Sequence, residues 1–258
     1  MIDWLGAHSL FSSLPVFALA VLAVAMVGLS KGGLGGAFSM MGVPVLTLAM
    51  SPLLAAALML PILLIMDARS LWIWRHYRDT EVLRVMIPWA IAGIAIGWLA
   101  STHTPDAAVR LILGVIAVTF AARGLFGRYL GGAPRYRAGT SWFWGTIAGF
   151  TSFVAHAGGP PFQAQVLPKR LDPKVYTGTN VVFFAVINAI KTVPYAGLGM
   201  FETRTLVSAA LMAPVALVAV QLGAMIVRRL SAAVFYPFSY AMMLIIGIKL
   251  VYDGVSAF

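Results

Sequence analysis

Ser30-Lys31-Gly32-Gly33-Leu34-Gly35-Gly36 interrupts an apolar run that begins at Leu14. A second break, His156-Ala157-Gly158-Gly159-Pro160-Pro161-Phe162-Gln163-Ala164-Gln165, interrupts another that begins at Ser141. Glycine lets a backbone open and approach a ligand closely. Paired prolines can only end one helix or begin the next. Outward from these breaks the chain reads as five apolar segments per half. The first half holds Leu14–Leu29, Leu34–Met50, Leu53–Ile73, Val82–Ala100 and Ala107–Phe126; the second holds Ser141–Ala155, Phe162–Leu167, Val175–Leu198, Leu206–Val227 and Ala232–Tyr252. Most are long enough to cross ~30 Å of hydrocarbon, whereas Phe162–Leu167 is not.

Composition agrees with an all-α polytopic membrane protein. Of the 258 residues, 61% are hydrophobic and only 10% charged, and the mean hydropathy is +0.92. A soluble domain carries roughly a quarter charged residues. The net charge of +10 reads as the Lys and Arg excess of cytoplasmic loops. It does not read as a nucleic-acid surface, because no basic stripe is interleaved with stacking aromatics. The chain has no cysteine, which excludes disulfides, thiolate catalysis and Cys-based metal sites. Met1-Ile2-Asp3-Trp4 lacks the positive start of a cleaved signal peptide, so the first apolar segment is expected to stay in the mature protein.

The halves match in order: Gly32-Gly33 with Gly158-Gly159, Ser51-Pro52 with Asp172-Pro173, Asp67 with Asn188, and Ala107-Ala108-Val109 with Ala232-Ala233-Val234. These matches predict an internal repeat, with residues 1–126 as the first unit, 127–140 as a cytoplasmic linker and 141–258 as the second. Basic residues cluster around Arg75, Arg123, Lys169 and Arg228. If every cluster is cytoplasmic, the third segments of the two halves run in opposite directions and the repeats are inverted. The parity holds only if the first two segments of each half form a hairpin returning to its own side. Both termini are then expected in the periplasm of a multi-pass inner-membrane protein. Interrupted short segments at equivalent places in inverted halves point to a transporter binding site.

Three groups of residues carry candidate chemistry. Gly32, Gly33 and Gly35 in the first tip offer backbone N–H groups suited to an anion, and Lys31 adds a charge inside an apolar stretch, where charge is costly and functional by default. In the second tip Gly158, Gly159 and Pro160 shape the turn, Gln163 and Gln165 offer amides, and His156 titrates near neutral pH. On Val175–Leu198, Asn188, Lys191 and Tyr195 are spaced to share one helix face, with Asn180 a few turns earlier. The region repeating it carries Asp67 and Arg69, which can pair with each other. No HExxH, Walker A or GxSxG motif is present, and the four histidines are scattered. Neither an enzyme nor a cofactor is expected. Lys, Gln, Asn, Thr and glycine amides favour an anion over a cation. Three alternatives stay open: another small anion, a metal cation centred on Asp67, or a membrane enzyme using Ser30 with His156.

The tip from Lys31 to Gly36, the motif Gly158-Gly159-Pro160-Pro161, and the run Asp172-Pro173-Lys174 through Thr177-Gly178-Thr179-Asn180 to Asn188 and Lys191 occur in this order along the chain. Together they resemble the TauE/SafE sulfite exporter family of bacterial membrane permeases, over nearly the whole length. The resemblance implies transport of small sulfur-containing anions such as sulfite, organosulfonates or sulfoacetate. The expected mechanism is alternating access, with the two tips meeting near the membrane midplane. The expected partners are the anion and the lipid bilayer. Proton coupling and a homodimer stay open, and no nucleic acid is expected.

Overall fold

A computed structural model describes residues 9–34, 42–100, 106–127, 129, 132–155, 157–197, 199 and 201–256. All regular structure among them is helical. The first half contains α1 (Leu14–Leu29), continued by a π-type turn over Ser30–Leu34, then α2 (Gly42–Leu46), α3 (Pro52–Trp74), α4 (Thr80–Ala100) and α5 (Asp106–Phe126). The second contains α6 (Ser141–Ala155), α7 (Gly159–Val166), α8 (Pro173–Gly197), α9 (Thr203–Arg229) and α10 (Ala232–Val255). Seven helical stretches among the described residues are long and apolar enough to cross a bilayer.

Local chemistry sets where the helices begin. The Ser51 hydroxyl accepts from the Leu54 amide at 3.4 Å ahead of Pro52, satisfying one orphan donor of the first turn. The Asp79 carboxylate accepts from the Val82 amide at 3.1 Å at the start of α4. The Asp172 carboxylate accepts from the Lys174 amide at 2.9 Å at the start of α8. The matched pairs Ser51-Pro52 and Asp172-Pro173 are therefore both a polar residue and a proline opening a third helix.

Contacts between helix ends place the basic clusters on one face. Lys169 bridges to Asp79 at 2.7 Å and to Glu81 at 2.8 Å, tying the residues after α7 to the start of α4. Arg228 donates to the Ile73 carbonyl at 3.3 Å, joining the ends of α9 and α3. The Tyr236 hydroxyl donates to the Leu171 carbonyl at 2.5 Å, joining α10 to the start of α8. On the opposite face, Arg204 donates to the Ser9 carbonyl at 2.7 Å, and the Leu10 amide donates to Ser208 at 2.8 Å.

The second broken hairpin returns to the side it enters. Gln165, at the end of α7, donates to the Arg137 carbonyl at 2.9 Å and to the Ser141 hydroxyl at 2.7 Å, just before and at the start of α6. At ~1.5 Å per residue, the 8-residue α7 spans about 12 Å, too short to cross. In the first half the 5-residue α2 is likewise short and packs against α1.

Helix pairing crosses between the halves. The first helix of each half packs on the fourth helix of the other, α1 on α9 and α6 on α4; the third helices pack together, as do the fifth. Exchanging the halves reproduces all of these pairings. Glycines make the crossings close: a Cβ at Gly149 would lie 1.9 Å from the Ala90 carbonyl oxygen, at Gly93 2.1 Å from that of Thr146, and at Gly32 2.3 Å from that of Val220. Gly28–Gly32, Gly93–Gly97 and Gly145–Gly149 are each four residues apart, the small-xxx-small spacing that lets membrane helices touch backbone to backbone.

Gly149→Ala is therefore expected to destabilise the fold by about 1–3 kcal/mol through overpacking. Gly139, whose Cβ would meet nothing within 4 Å, is the control. Thermal melting of the purified proteins should show a lower midpoint for Gly149→Ala alone.

Candidate functional site

A buried polar cluster lies where the first hairpin, α3, α6 and α8 converge. Each of these elements is apolar over most of its length, so the exceptions are conspicuous. The Lys31 ammonium in the π-type turn pairs with Asp67 Oδ1 of α3 at 2.5 Å. Asn188 Nδ2 of α8 donates to Asp67 Oδ2 at 2.6 Å. Both carboxylate oxygens are thus engaged, one from each half of the chain. Lys31 and Asp67 are 6% and 3% exposed. The Lys31 ammonium also lies 5.6 Å from the centroid of the Phe184 ring. Lys191, three residues beyond Asn188, donates to the Ser152 hydroxyl at 3.1 Å and to the Ser152 carbonyl at 3.2 Å on α6.

The break after α1 is fixed in place by α3. The Ser70 hydroxyl donates to the Lys31 carbonyl at 3.2 Å, and Trp74 Nε1–H donates to the Gly32 carbonyl at 3.0 Å. These bonds satisfy carbonyls that the end of a helix leaves without partners. Gly33 turns with φ of 142°, a conformation open to glycine.

Beside the cluster is a small cavity of about 50 Å³. Its polar lining is Ser30, Lys31, Ser152, Asn180, Asn188 and Lys191; Met59, Leu63 and Phe184 wall it with apolar surface, and Gly159, the first residue of α7, also faces it. Among the described residues, both charged side chains lining it are lysines, one from each half. Pro160 and Pro161 occupy the next positions of α7, so its buried first turn lacks two N–H groups that would otherwise need partners.

The sequence candidates fall into distinct groups. Lys31, Gly159, Asn180, Asn188 and Lys191 come together at the cavity. Gly32 packs against α9, and Gly33 packs between α9 and α8, where a Cβ would lie 2.9 Å from Val227 and from Thr177 side-chain atoms. Gly158 packs on α6, with the Ala148 carbonyl oxygen 2.7 Å from where a Cβ would be. Pro160 and Gln163 are buried in α7. Gln165, read as a possible ligand amide, clamps α7 to the start of α6 instead. Gly35 and His156 lie outside the described residues. Asp67 pairs with Lys31 and Asn188 and not with Arg69, which donates to Gln221 Oε1 of α9 at 2.8 Å. Ser152 was missed, because a serine within an apolar helix gives no signal of its own. The tips also sit at different depths. Gly33 approaches Val227 near the end of α9, while Ala157 joins Val109 and Leu250 near the opposite face.

Residues 20–250 match the family model described as Sulfite exporter TauE/SafE. The chain belongs to this family. Neither the curated proteins nor the solved structures contain a significant match to the chain. As a TauE/SafE protein it is a multi-pass membrane transporter, and the cavity between its broken hairpins is its candidate transport site.

Outside the bilayer, the Lys169–Asp79 link ties the hairpin end to the start of α4. Desolvation by burial acts to raise the Asp79 pKa, but hydrogen bonds from Lys169 and the Val82 amide outweigh it and hold the value below the usual 3.8. Desolvation acts to lower the Lys169 pKa, but hydrogen bonds to Asp79 and Glu81 lift it above 10.5. The depressed carboxyl adds stability above its unfolded value that is lost as pH falls through its folded one; the raised ammonium adds stability below 10.5 that is lost as pH rises beyond it. The link is thus expected to hold at full strength from about pH 4 to pH 10. A melting profile across that window should be flat for this contribution, with Lys169→Gln lowering it evenly.

The buried pair makes a stronger prediction. Asp67→Ala leaves Lys31 buried without its carboxylate, a change that typically costs about 3–5 kcal/mol. The double replacement Lys31→Met with Asp67→Leu is expected to recover most of that stability while abolishing transport. Melting midpoints of the single and double variants check the first part, and flux checks the second.

Proposed function

We propose that this TauE/SafE protein exports sulfite or a sulfur oxyanion of similar size across the bacterial inner membrane. The observation that carries the reading is the cavity whose charged lining groups, among the described residues, are Lys31 and Lys191, contributed by opposite halves. A lysine buried at membrane depth is costly unless it serves a partner or a substrate. Asn180, Asn188, Ser30 and Ser152 add neutral hydrogen-bonding groups suited to oxygen ligands. The start of α7 at Gly159 adds the positive end of a helix dipole. Size narrows the class. A cavity of about 50 Å³ has room for one compact oxyanion or a few waters, and it favours sulfite over longer sulfonates.

The two halves act as inverted repeats in this reading, and the anion is exposed alternately to each side. The basic face is cytoplasmic by the excess of Lys and Arg in cytoplasmic loops. Both termini then face the periplasm, and the linker 127–140 lies in the cytoplasm. An inside-negative potential drives anion exit by ~2.3 kcal/mol per charge per 100 mV.

Efflux of sulfite from proteoliposomes is the direct test. Lys191→Met is expected to lower the rate at least tenfold while the protein still elutes as a single folded species. Sulfite should also raise the melting midpoint of the wild type by mass action, with sulfoacetate giving a smaller shift. Wild-type flux in Lys191→Met, or stabilisation by divalent metals alone, would remove the anion-site reading. Reporter fusions at 127–140 and at both termini test the orientation separately.

A further inference from the structure

A second basic site lies on the same face, away from the central cavity. A turn at Gly132, with φ of 105°, folds the linker back: the Gly132 amide donates to the Gly127 carbonyl at 2.8 Å. This brings Arg135 and Arg137 over the end of α5, where Arg123 lies. The three arginines line one cleft of about 690 Å³, floored by Ala164 and Gln165 of α7. No carboxylate is among its described lining residues. The linker backbone is held there by the Gln165 amide on the Arg137 carbonyl.

Size separates this cleft from the transport site. It is more than ten times the volume of the central cavity, far more than a sulfite needs. Its surroundings mark the level of lipid headgroups. Phe143, exposed and edge to face with the lining residue Trp144 at 5.3 Å, and Tyr129, exposed just after α5, flank it, as aromatic side chains do at a membrane interface. Phe120 of α5 and Trp144 of α6 meet edge to face at 5.3 Å and form its wall. Ile112 and Val115, both exposed, share one face of α5 with Thr119 and Arg123, and the last two line the cleft. An apolar track for an acyl chain therefore leads directly to the arginines.

We propose that this cleft binds an anionic phospholipid, with the phosphate held by Arg123, Arg135 and Arg137 and an acyl chain along Ile112 and Val115. Guanidinium groups match phosphate oxygens in bidentate geometry, and basic pockets between membrane helices on the cytoplasmic side suit anionic headgroups. The bound lipid rests on α7, whose first residue faces the transport cavity, so it steadies the second hairpin.

The test uses purified full-length protein in neutral detergent, without sulfite, so its outcome is independent of the transport reading. Cardiolipin or phosphatidylglycerol should raise the melting midpoint by several degrees, while phosphatidylcholine and inorganic phosphate should not. The triple variant R123Q/R135Q/R137Q should lose the shift. R75Q/R78Q/R84Q, which removes the same charge elsewhere on that face, should keep it. In the wild type, anionic lipid should also slow backbone hydrogen exchange over residues 132–140, a readout that needs no variant. An equal lipid shift in both triple variants, an equal response to free phosphate, or unchanged exchange in the linker would each overturn the proposal.

Discussion

The bond network centred on the Asp67 carboxylate holds the two halves of this protein to each other at their most costly point. Its partners are Lys31 from the first hairpin and Asn188 from the second half's third helix. A charge in hydrocarbon is expensive alone, and even a paired one gains little over an apolar replacement. Shape-matched leucines and methionines would hold α3 to α8 as well. The pair persists in a chain that otherwise avoids charge, which points away from stability and toward work done on a substrate. Each of the two lysines at the cavity is held by its own half, Lys31 by Asp67 and Lys191 by Ser152, while Asn188 joins the halves.

The rest of the architecture brings those elements together at short range. Backbones must approach closely for Lys31 to reach α3 and for Lys191 to reach α6. The glycine crossings of α1 on α9 and α6 on α4 supply that approach, because membrane helices associate through packing and not through exclusion of water. Fixing each hairpin against the opposite half leaves its break facing inward. The hydrogen bonds from Ser70 and Trp74 to the carbonyls of Lys31 and Gly32 then satisfy a helix end that has no water to turn to.

Much of this was legible in residue order. The apolar runs gave the helices, and the glycine and proline breaks gave the hairpins. The charge parity required the second hairpin to return to its own side, as Gln165 and Ser141 show it does. Lys31, Asn180, Asn188 and Lys191 stood out because polar groups are rare in such segments. What stayed hidden was partnership. Asp67 sits two residues from Arg69, yet a helix turns about 100° per residue, so the two point to different neighbours. Arg69 faces Gln221 on α9, and Asp67 faces the interior. Glycine roles were also hidden, because Gly32 and Gly158 have the same composition signature whether they expose an amide or admit a neighbouring backbone. Their close contacts with α9 and α6 assign them to packing, and of the tip glycines described, Gly159 is the one that faces the cavity.

The elements around the cavity constrain how an anion could leave it. Every residue of α7 is buried, and Gln165 ties its end to α6 and to the linker, so the second hairpin has to move as one piece with the linker. The first hairpin is bound in the same way to α3 and α9. The halves meet where α1 packs on α9, α6 on α4 and α5 on α10, and also where α3 meets α8 and Asn188 donates to Asp67. An oxyanion arriving beside Lys191 and Asn188 would compete with the Asp67 carboxylate for the Asn188 amide. In the proposed alternating-access cycle, that competition would weaken one of the bonds between the halves as the substrate binds.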